Sequence, residues 1–292
     1  MAFRRLELDG GTVEYLVAGP SDAADLLLLH VGTPSAAVLY PGLVAAAAAR
    51  GLRTAAYSRG GYGRSSRRPG RTVGGEAAIS AALADRLGYE RFLTAGWSGG
   101  GPVALACAAL LSDRVKACVV LAGLAPRHEA GAEWRAWFSA ERRAEWETLG
   151  GDDQSALLDD FEAQVAMFSR MTPARLRGVG GPPDARAIAQ RHHEEVAPYL
   201  TRSMRRAVSR GYAGYLDDNV AQAHPWGFRV ADIRVPVVVR HGELDRLVNV
   251  GQGRWLAANI PGARGVFLPD AGHGSIALPW ADVVDDLVGA AG

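Results

Sequence analysis

A five-residue turn constrains this chain more than any other feature. Gly96-Trp97-Ser98-Gly99-Gly100 stands between an apolar segment, Phe92-Leu93-Thr94-Ala95, and the small-residue run Val103-Ala104-Leu105-Ala106-Cys107-Ala108-Ala109-Leu110-Leu111. Residues 92–95 read as a short buried strand. The residues from Gly99 onward read as a closely packed helix, with Pro102 in a first turn that tolerates a missing N–H. A chain that passes from strand to helix this sharply holds its apex residue in a strained, exposed conformation and needs small residues on both sides. The helix that follows aims free N–H groups and the positive end of its dipole at the apex, where developing negative charge is stabilised. The pattern is G-x-S-x-G, and Ser98 is the candidate nucleophile. Gly99-Gly100-Gly101-Pro102-Val103-Ala104 also fits a loose dinucleotide pattern, but residues 116–121 run apolar into Ala122-Gly123 without an acid to hold a ribose. No cofactor is expected.

Around this turn, apolar strands alternate with helices. Arg4–Leu8 and residues 12–17 read as a hairpin about Asp9-Gly10-Gly11. Residues 25–30, with Leu26-Leu27-Leu28-Leu29 apolar on both faces, read as a central parallel strand. An Ala-rich helix is expected from Pro34 to about Arg50, then a strand over 52–57, the loop Ser58-Arg59-Gly60-Gly61-Tyr62-Gly63-Arg64-Ser65-Ser66, and a helix over 74–88. Beyond the turn come strands at 115–121, 233–240 and 265–268, and helices at 251–259 and 276–288. The expected fold is α/β: a mostly parallel sheet of roughly eight strands covered by helices. Ligands in such sheets bind at the strands' carboxyl ends, where His30 to Pro34, the loop over residues 58–66 and Ser98 converge.

The rhythm stops between residues 124 and 228, where aromatic residues recur among charges at helical spacing and a glycine–proline run at residues 178–183 divides the segment. We read residues 1–123 and 229–292 as the core and 124–228 as an inserted helical cap. Most of its aromatics pack the insertion itself. Trp97 from the turn and Trp134, Trp137 and Phe138 from the insertion are the candidates for substrate contact. His192-His193-Glu194-Glu195 lacks the i, i+4 pairing of helical metal sites, so no metal is expected there.

The 292 residues carry a formal charge of +1, which offers no electrostatic footprint for nucleic acid or an anionic membrane. No apolar run approaches the ~20 residues that span a bilayer. The N-terminus shows no apolar leader, and Cys107 and Cys118 fall in apolar settings as buried free thiols. A cytoplasmic monomer or homodimer acting on a small molecule is the expectation.

Ser98, an acid near residue 245 and His273 follow one another in the chain, each just past a strand. With Gly96-Trp97-Ser98-Gly99-Gly100, His241-Gly242-Glu243-Leu244-Asp245, Asp270-Ala271-Gly272-His273 and the Arg59-Gly60-Gly61-Tyr62-Gly63-Arg64-Ser65 loop, the chain resembles the α/β-hydrolase superfamily over essentially its whole length. The resemblance implies a Ser98–His273–Asp245 triad. It puts the acid at the third position after the glycine, which favours Asp245 over Glu243. Arg246 beside it either is simply solvated or helps to keep the carboxylate ionised. It also implies an oxyanion hole made by the Gly99 N–H and an N–H in the loop after the third strand. Many relatives carry His-Gly-x-Pro there, whereas Val31 separates His30 from Gly32-Thr33-Pro34. Anchoring on Gly-x-Pro selects the Thr33 N–H, with its hydroxyl as an aid, and leaves His30 as a structural hydrogen-bonder.

The chemistry explains the residue types. A serine hydroxyl near neutral pH needs an imidazole to take its proton, and a carboxylate fixes the imidazole's tautomer. Serine rather than aspartate at the turn points to acyl chemistry: ester, thioester, lactone or amide cleavage, or carbon–carbon cleavage beside a ketone. An aminopeptidase like the family's proline iminopeptidases would hold its substrate's amine on insertion acids such as Glu129, Glu133, Glu141 or Glu145. The non-enzymatic alternative is a small-molecule receptor on the same fold.

Overall fold

The computed structural model describes residues 2–176 and 191–292. Its centre is an eight-stranded sheet made of β1 (Arg4–Leu8), β2 (Gly11–Ala18), β3 (Asp25–His30), β4 (Leu52–Tyr57), β5 (Phe92–Trp97), β6 (Val115–Leu121), β7 (Val237–Gly242) and β8 (Arg264–Leu268). The order is β1-β2-β4-β3-β5-β6-β7-β8. The β1–β2 and β2–β4 pairs are antiparallel and the rest are parallel. Strand order reverses between β3 and β5, which pair directly with His30 opposite Gly96. At that reversal the connections leave to opposite faces and open a crevice at the carboxyl ends. The two segments that flank the crevice are Val31-Gly32-Thr33 and Ser98.

The helices of the core divide between the two faces. On one lie α1 (Pro41–Ala48) and α11 (Trp280–Ala291); on the other lie α2 (Glu76–Leu87), α3 (Gly101–Leu110) and α10 (Val250–Asn259). The period-two geometry of a strand shares the leucines of β3 between them. Leu26 and Leu28 join the second core, Leu27 and Leu29 the first. Each such leucine contributes about 1.5–3 kcal/mol by leaving water. In α3 all residues from Gly101 to Ala108 are buried, which small side chains permit at close approach.

Between β6 and β7 the described residues form helices and no strand: α4 (Arg127–Ala136), α5 (Ala140–Leu149), α6 (Leu158–Ser169), α7 (Pro173–Leu176), α8 (Ala197–Ala207) and α9 (Ala213–Ala223), with short 3₁₀ and π turns. The break expected at residues 178–183 lies outside the described residues. No helix among those described is long and apolar enough to cross a membrane.

Three elements depart from expectation by more than two residues. The helix after β3 starts at Pro41, not Pro34, because residues 31–40 give their hydrogen bonds elsewhere: the Ala36 N–H to Ser203 O and the Ala37 N–H to Ser58 Oγ. Pro41 then opens α1 in the first turn. Strand β7 begins at Val237, after Pro236, and runs on through His241 and Gly242, which pair with Phe267 and Leu268. The last helix starts at Trp280, after Pro279, with residues 275–277 in a 3₁₀ turn.

Candidate active site

Ser98 has φ of 54°, one of two non-glycine residues among those described with positive φ. The strain is imposed by the turn it caps. A Cβ on Gly96 would sit 2.3 Å from Gly100 O, so only glycine lets β5 fold back onto the start of α3. Pro102 occupies the first turn of α3, and that helix's N-terminus lies just behind Ser98.

His273 follows β8, and Asp245 follows β7. Asp245 Oδ2 lies 2.7 Å from His273 Nδ1. Its Oδ1 accepts the N–H groups of Leu247 at 2.8 Å and Val248 at 2.9 Å, closing the loop onto the carboxylate. Burial alone would raise this carboxyl. The electrostatic pull of the adjacent His273 ring, hydrogen bonds from His241 and His273 and the Val248 N–H outweigh it and hold Asp245 well below the usual carboxylate range. Arg246 is exposed and is not among the groups that do so. Glu243 lies apart from His273 and pairs with Arg254 at 2.5 Å. The sequence reading did not anticipate His241. Its ring is fully buried, with Nε2 2.9 Å from Val248 O and 3.2 Å from Asp245 Oδ2, so two imidazoles meet one carboxylate.

Trp97, next to Ser98, donates its indole N–H to His273 O at 3.1 Å. This bond ties the loop after β8 to the end of β5. Trp97 is 4% exposed and packs against Tyr40 and Trp280, so its surroundings are those of a packing residue. Trp134, 3% exposed, is enclosed by Phe138 and Trp146. Trp137 and Phe138 instead border an open cavity of about 480 Å³ together with Arg142, Leu247, Asn249 and the Asp245 loop. Of the insertion's acids, Glu129 accepts the Val230 N–H, Glu145 pairs with Arg142, and Glu133 and Glu141 are exposed.

The loop after β3 lies directly against the turn. The position a Cβ on Gly32 would take is 3.3 Å from Ser98 Cβ, and that for Gly99 is 2.2 Å from Thr33 Oγ1, so Thr33 and Gly99 are neighbours. The Thr33 hydroxyl is already committed. It donates to Asp218 Oδ2 and accepts from Arg59 Nη2 and Gln222 Nε2, each at 3.1 Å. It therefore has no proton left to offer an oxyanion, contrary to the aid expected of it. Beneath the turn, His30 is buried with Nε2 3.0 Å from Thr94 Oγ1, and burial, then the Arg59 charge, lower its pKa to about 3. The ring is neutral, and its contacts are structural. Burial pushes the Cys107 thiol up to about 12 and Cys118 well above the ordinary thiol value.

Asp218, Gln222 and His241 are the polar residues near this site that sequence reasoning missed. The first two lie on the buried face of α9 beside Gly214 and Ala221. Their i, i+4 spacing among small residues was the available signal.

No curated protein matches the chain by sequence. Solved structures do match by fold. A hydrolase from Pseudomonas aeruginosa PA01 is 22% identical with 98% of each chain covered and a TM-score of 0.66. An enol-lactonase from Burkholderia xenovorans LB400 is 20% identical with 99% of each chain covered and a TM-score of 0.63. An esterase from Rhodococcus sp. ECU1013 is 19% identical, covering 100% of this chain and 98% of its own, with a TM-score of 0.66. At these identities the likeness is one of fold. The model of the alpha/beta hydrolase fold family matches residues 25–278, so the chain belongs to the α/β-hydrolase fold family.

Proposed function

We propose that this protein is a serine hydrolase that cleaves an ester, lactone or related acyl bond through an acyl-enzyme at Ser98. The observation that carries the reading is the 2.7 Å contact of His273 Nδ1 with a buried, ionised Asp245, in a loop tied through Trp97 to the strained Ser98 turn. An imidazole held this way presents Nε2 unprotonated and stabilises the imidazolium that forms once it takes a proton.

The steps follow from these groups. Ser98 Oγ attacks the acyl carbon while His273 Nε2 takes the hydroxyl proton, and the carbonyl oxygen becomes an oxyanion. The N–H groups of Gly99 and Thr33 receive that oxyanion; a donor of this kind is worth about 3 kcal/mol. Collapse of the tetrahedral species breaks the bond to the leaving group, which receives the proton from His273. Water then repeats the sequence on the acyl-enzyme, releasing the acid and restoring Ser98. In this reading the insertion is a cap, and Trp137 and Phe138 border the space for an apolar part of a small or medium substrate. The fold neighbours named as an esterase and an enol-lactonase act on bonds of this class, in keeping with the reading. Of the four acids an aminopeptidase could use to hold an amine, Glu129 and Glu145 are engaged elsewhere and Glu133 and Glu141 are exposed, which favours the acyl reading.

The test is labelling with a fluorophosphonate followed by peptide mass spectrometry, and turnover of chromogenic esters of graded chain length and of lactones. The adduct is expected on Ser98. Ser98→Ala is expected to lose about 10⁴–10⁶ in kcat with its fold intact. An adduct elsewhere, or a fully active variant, overturns the reading, and a wild type inert to both probes favours a receptor.

A further inference from the structure

The most heavily bonded buried cluster outside the triad joins the insertion to the loop after β3. Arg59, 1% exposed, follows β4 and has every N–H-bearing nitrogen engaged. Nε and Nη2 grip the two oxygens of Asp218 at 2.8 and 2.6 Å, Nη1 donates to Val31 O at 2.5 Å, and Nη2 also donates to Gly32 O at 3.0 Å. Asp218, 2% exposed, also receives Arg71 Nη2 at 2.6 Å, Tyr62 OH at 3.1 Å and the Thr33 hydroxyl. Arg71 in turn faces Glu76 at 3.5 Å, so two guanidiniums are balanced by two carboxylates. Four residues later on the same helix, Gln222 donates to the Thr33 hydroxyl.

This arrangement dictates a direction. In a trans peptide the C=O and the following N–H point opposite ways. The Gly32 C=O is fixed toward Arg59, so the Thr33 N–H faces away from Arg59, and Gly32 itself lies against Ser98. The Val31 C=O fixes the Gly32 N–H likewise. Helix α9 reaches this cluster because Gly214 and Gly61 meet backbone to backbone; a Cβ on either would lie 2.6 Å from main-chain carbon of the other.

We propose that Asp218 and Gln222 of the cap are positioning residues for the oxyanion hole, holding the Gly32–Thr33 peptide with its N–H toward Ser98 through Arg59 and the Thr33 hydroxyl. The cap thereby completes the catalytic apparatus, and does more than enclose substrate. Arg59 supplies the grip on the carbonyls, and Asp218 sets the plane of the guanidinium. The inference rests on the acyl-enzyme reading above.

The experiment compares wild type with Asp218→Asn, Gln222→Leu, Thr33→Val and Thr33→Ser on one chromogenic ester, together with inhibition by a trifluoromethyl ketone that mimics the tetrahedral species. Loss of a whole oxyanion donor costs about 10²–10³ in kcat, so a misaligned donor is expected to cost roughly 10–100-fold in Asp218→Asn and Thr33→Val. KM should stay within about threefold, because substrate and transition state differ chiefly at the oxyanion. Ketone affinity should fall by the same factor as kcat/KM, and Thr33→Ser, which restores the hydroxyl, should recover most of what Thr33→Val loses in both. A packing role alone would lower the unfolding midpoint while leaving the ratio of ketone affinity to KM unchanged. Folded variants with wild-type kcat and ketone affinity overturn the proposal. If Asp218→Asn does not fold, the Thr33 pair and Gln222→Leu decide it. Fluorophosphonate labelling of Ser98 separates the two readings: an unlabelled wild type overturns the acyl-enzyme reading, whereas a labelled wild type with indifferent variants overturns this one alone.

Discussion

Replacing Asp245 by asparagine tests the triad with the least change of shape. The carboxylate receives four donors: two backbone N–H groups on Oδ1, and the rings of His273 and His241 on Oδ2. An asparagine must keep its carbonyl toward Leu247 and Val248, because the flipped amide would set a donor against both N–H groups. Its NH₂ then faces the two imidazoles. His273 relieves the clash by moving its proton to Nε2, which leaves no acceptor for the Ser98 proton. The analogous change in Ser–His–Asp triads costs about 10⁴ in kcat, and that loss is expected here. His241 cannot adapt in the same way, because Val248 O at 2.9 Å requires its Nε2 to donate. That frustrated contact, with the side chain fully buried, should cost about 1–3 kcal/mol of stability. The assay is kcat on a chromogenic ester with urea unfolding of the same sample. Glu243→Gln should leave kcat near wild type, because its half-exposed ion pair with Arg254 is worth no more than about 1 kcal/mol. Asp245→Asn activity within about tenfold of wild type, or an equal loss in Glu243→Gln, would refute the assignment.

Two further outcomes are expected. Trp134→Ala should destabilise the fold by about 3–5 kcal/mol, as removal of an enclosed aromatic does, whereas Trp137→Ala should alter chain-length preference among esters with little loss of stability; matched effects in urea unfolding would contradict the difference in their surroundings. Asp218 and Asp245 are both held below the ordinary carboxylate value of 3.8, Asp218 because the guanidiniums of Arg59 and Arg71 outweigh its burial. The stability they contribute is complete above that value and is lost as pH falls toward their lower folded values. Urea midpoints should therefore drop steeply below about pH 4, and Asp218→Asn should flatten the drop; an unchanged slope in the variant would argue against a buried ionised Asp218.

What the sequence announced was local. The Ser98 turn is legible because its glycines, strand and helix are contiguous, and the His273 and Asp245 loops because each follows an apolar strand. The boundaries that shifted turn on partners remote in sequence. Nothing within residues 31–40 tells that Ser203 and Ser58 take their hydrogen bonds, so the lead-in to the Ala-rich helix reads as its first turns where the chain is irregular. His241 and Gly242 read as the start of a turn, yet they continue β7 because β8 offers Phe267 and Leu268 beside them. Trp97 invited a substrate role through its place beside Ser98, but alternation along β5 turns it toward Tyr40 and Trp280.

The burial of Asp218 on α9 was the least legible, for a reason that is physical rather than statistical. An acid within a helical pattern is ordinarily a solvated face, and Asp217, one residue earlier, behaves as expected by pairing with the half-exposed Arg67 at 2.8 Å. A one-residue step rotates a helix by about 100°, which carries Asp218 from that surface to the interior. Burial of such a charge is tolerable only where donors saturate it, and those donors come from Arg59, Arg71, Tyr62 and Thr33, at least 147 residues earlier in the chain. The loop after β3 shows the converse. Its Val31 and Gly32 carbonyls take their hydrogen bonds from Arg59. A guanidinium buried there demands a counter-charge, and Asp218 of α9 supplies it. Satisfying the loop's carbonyls and docking α9 are thus one electrostatic problem, met by the same carboxylate.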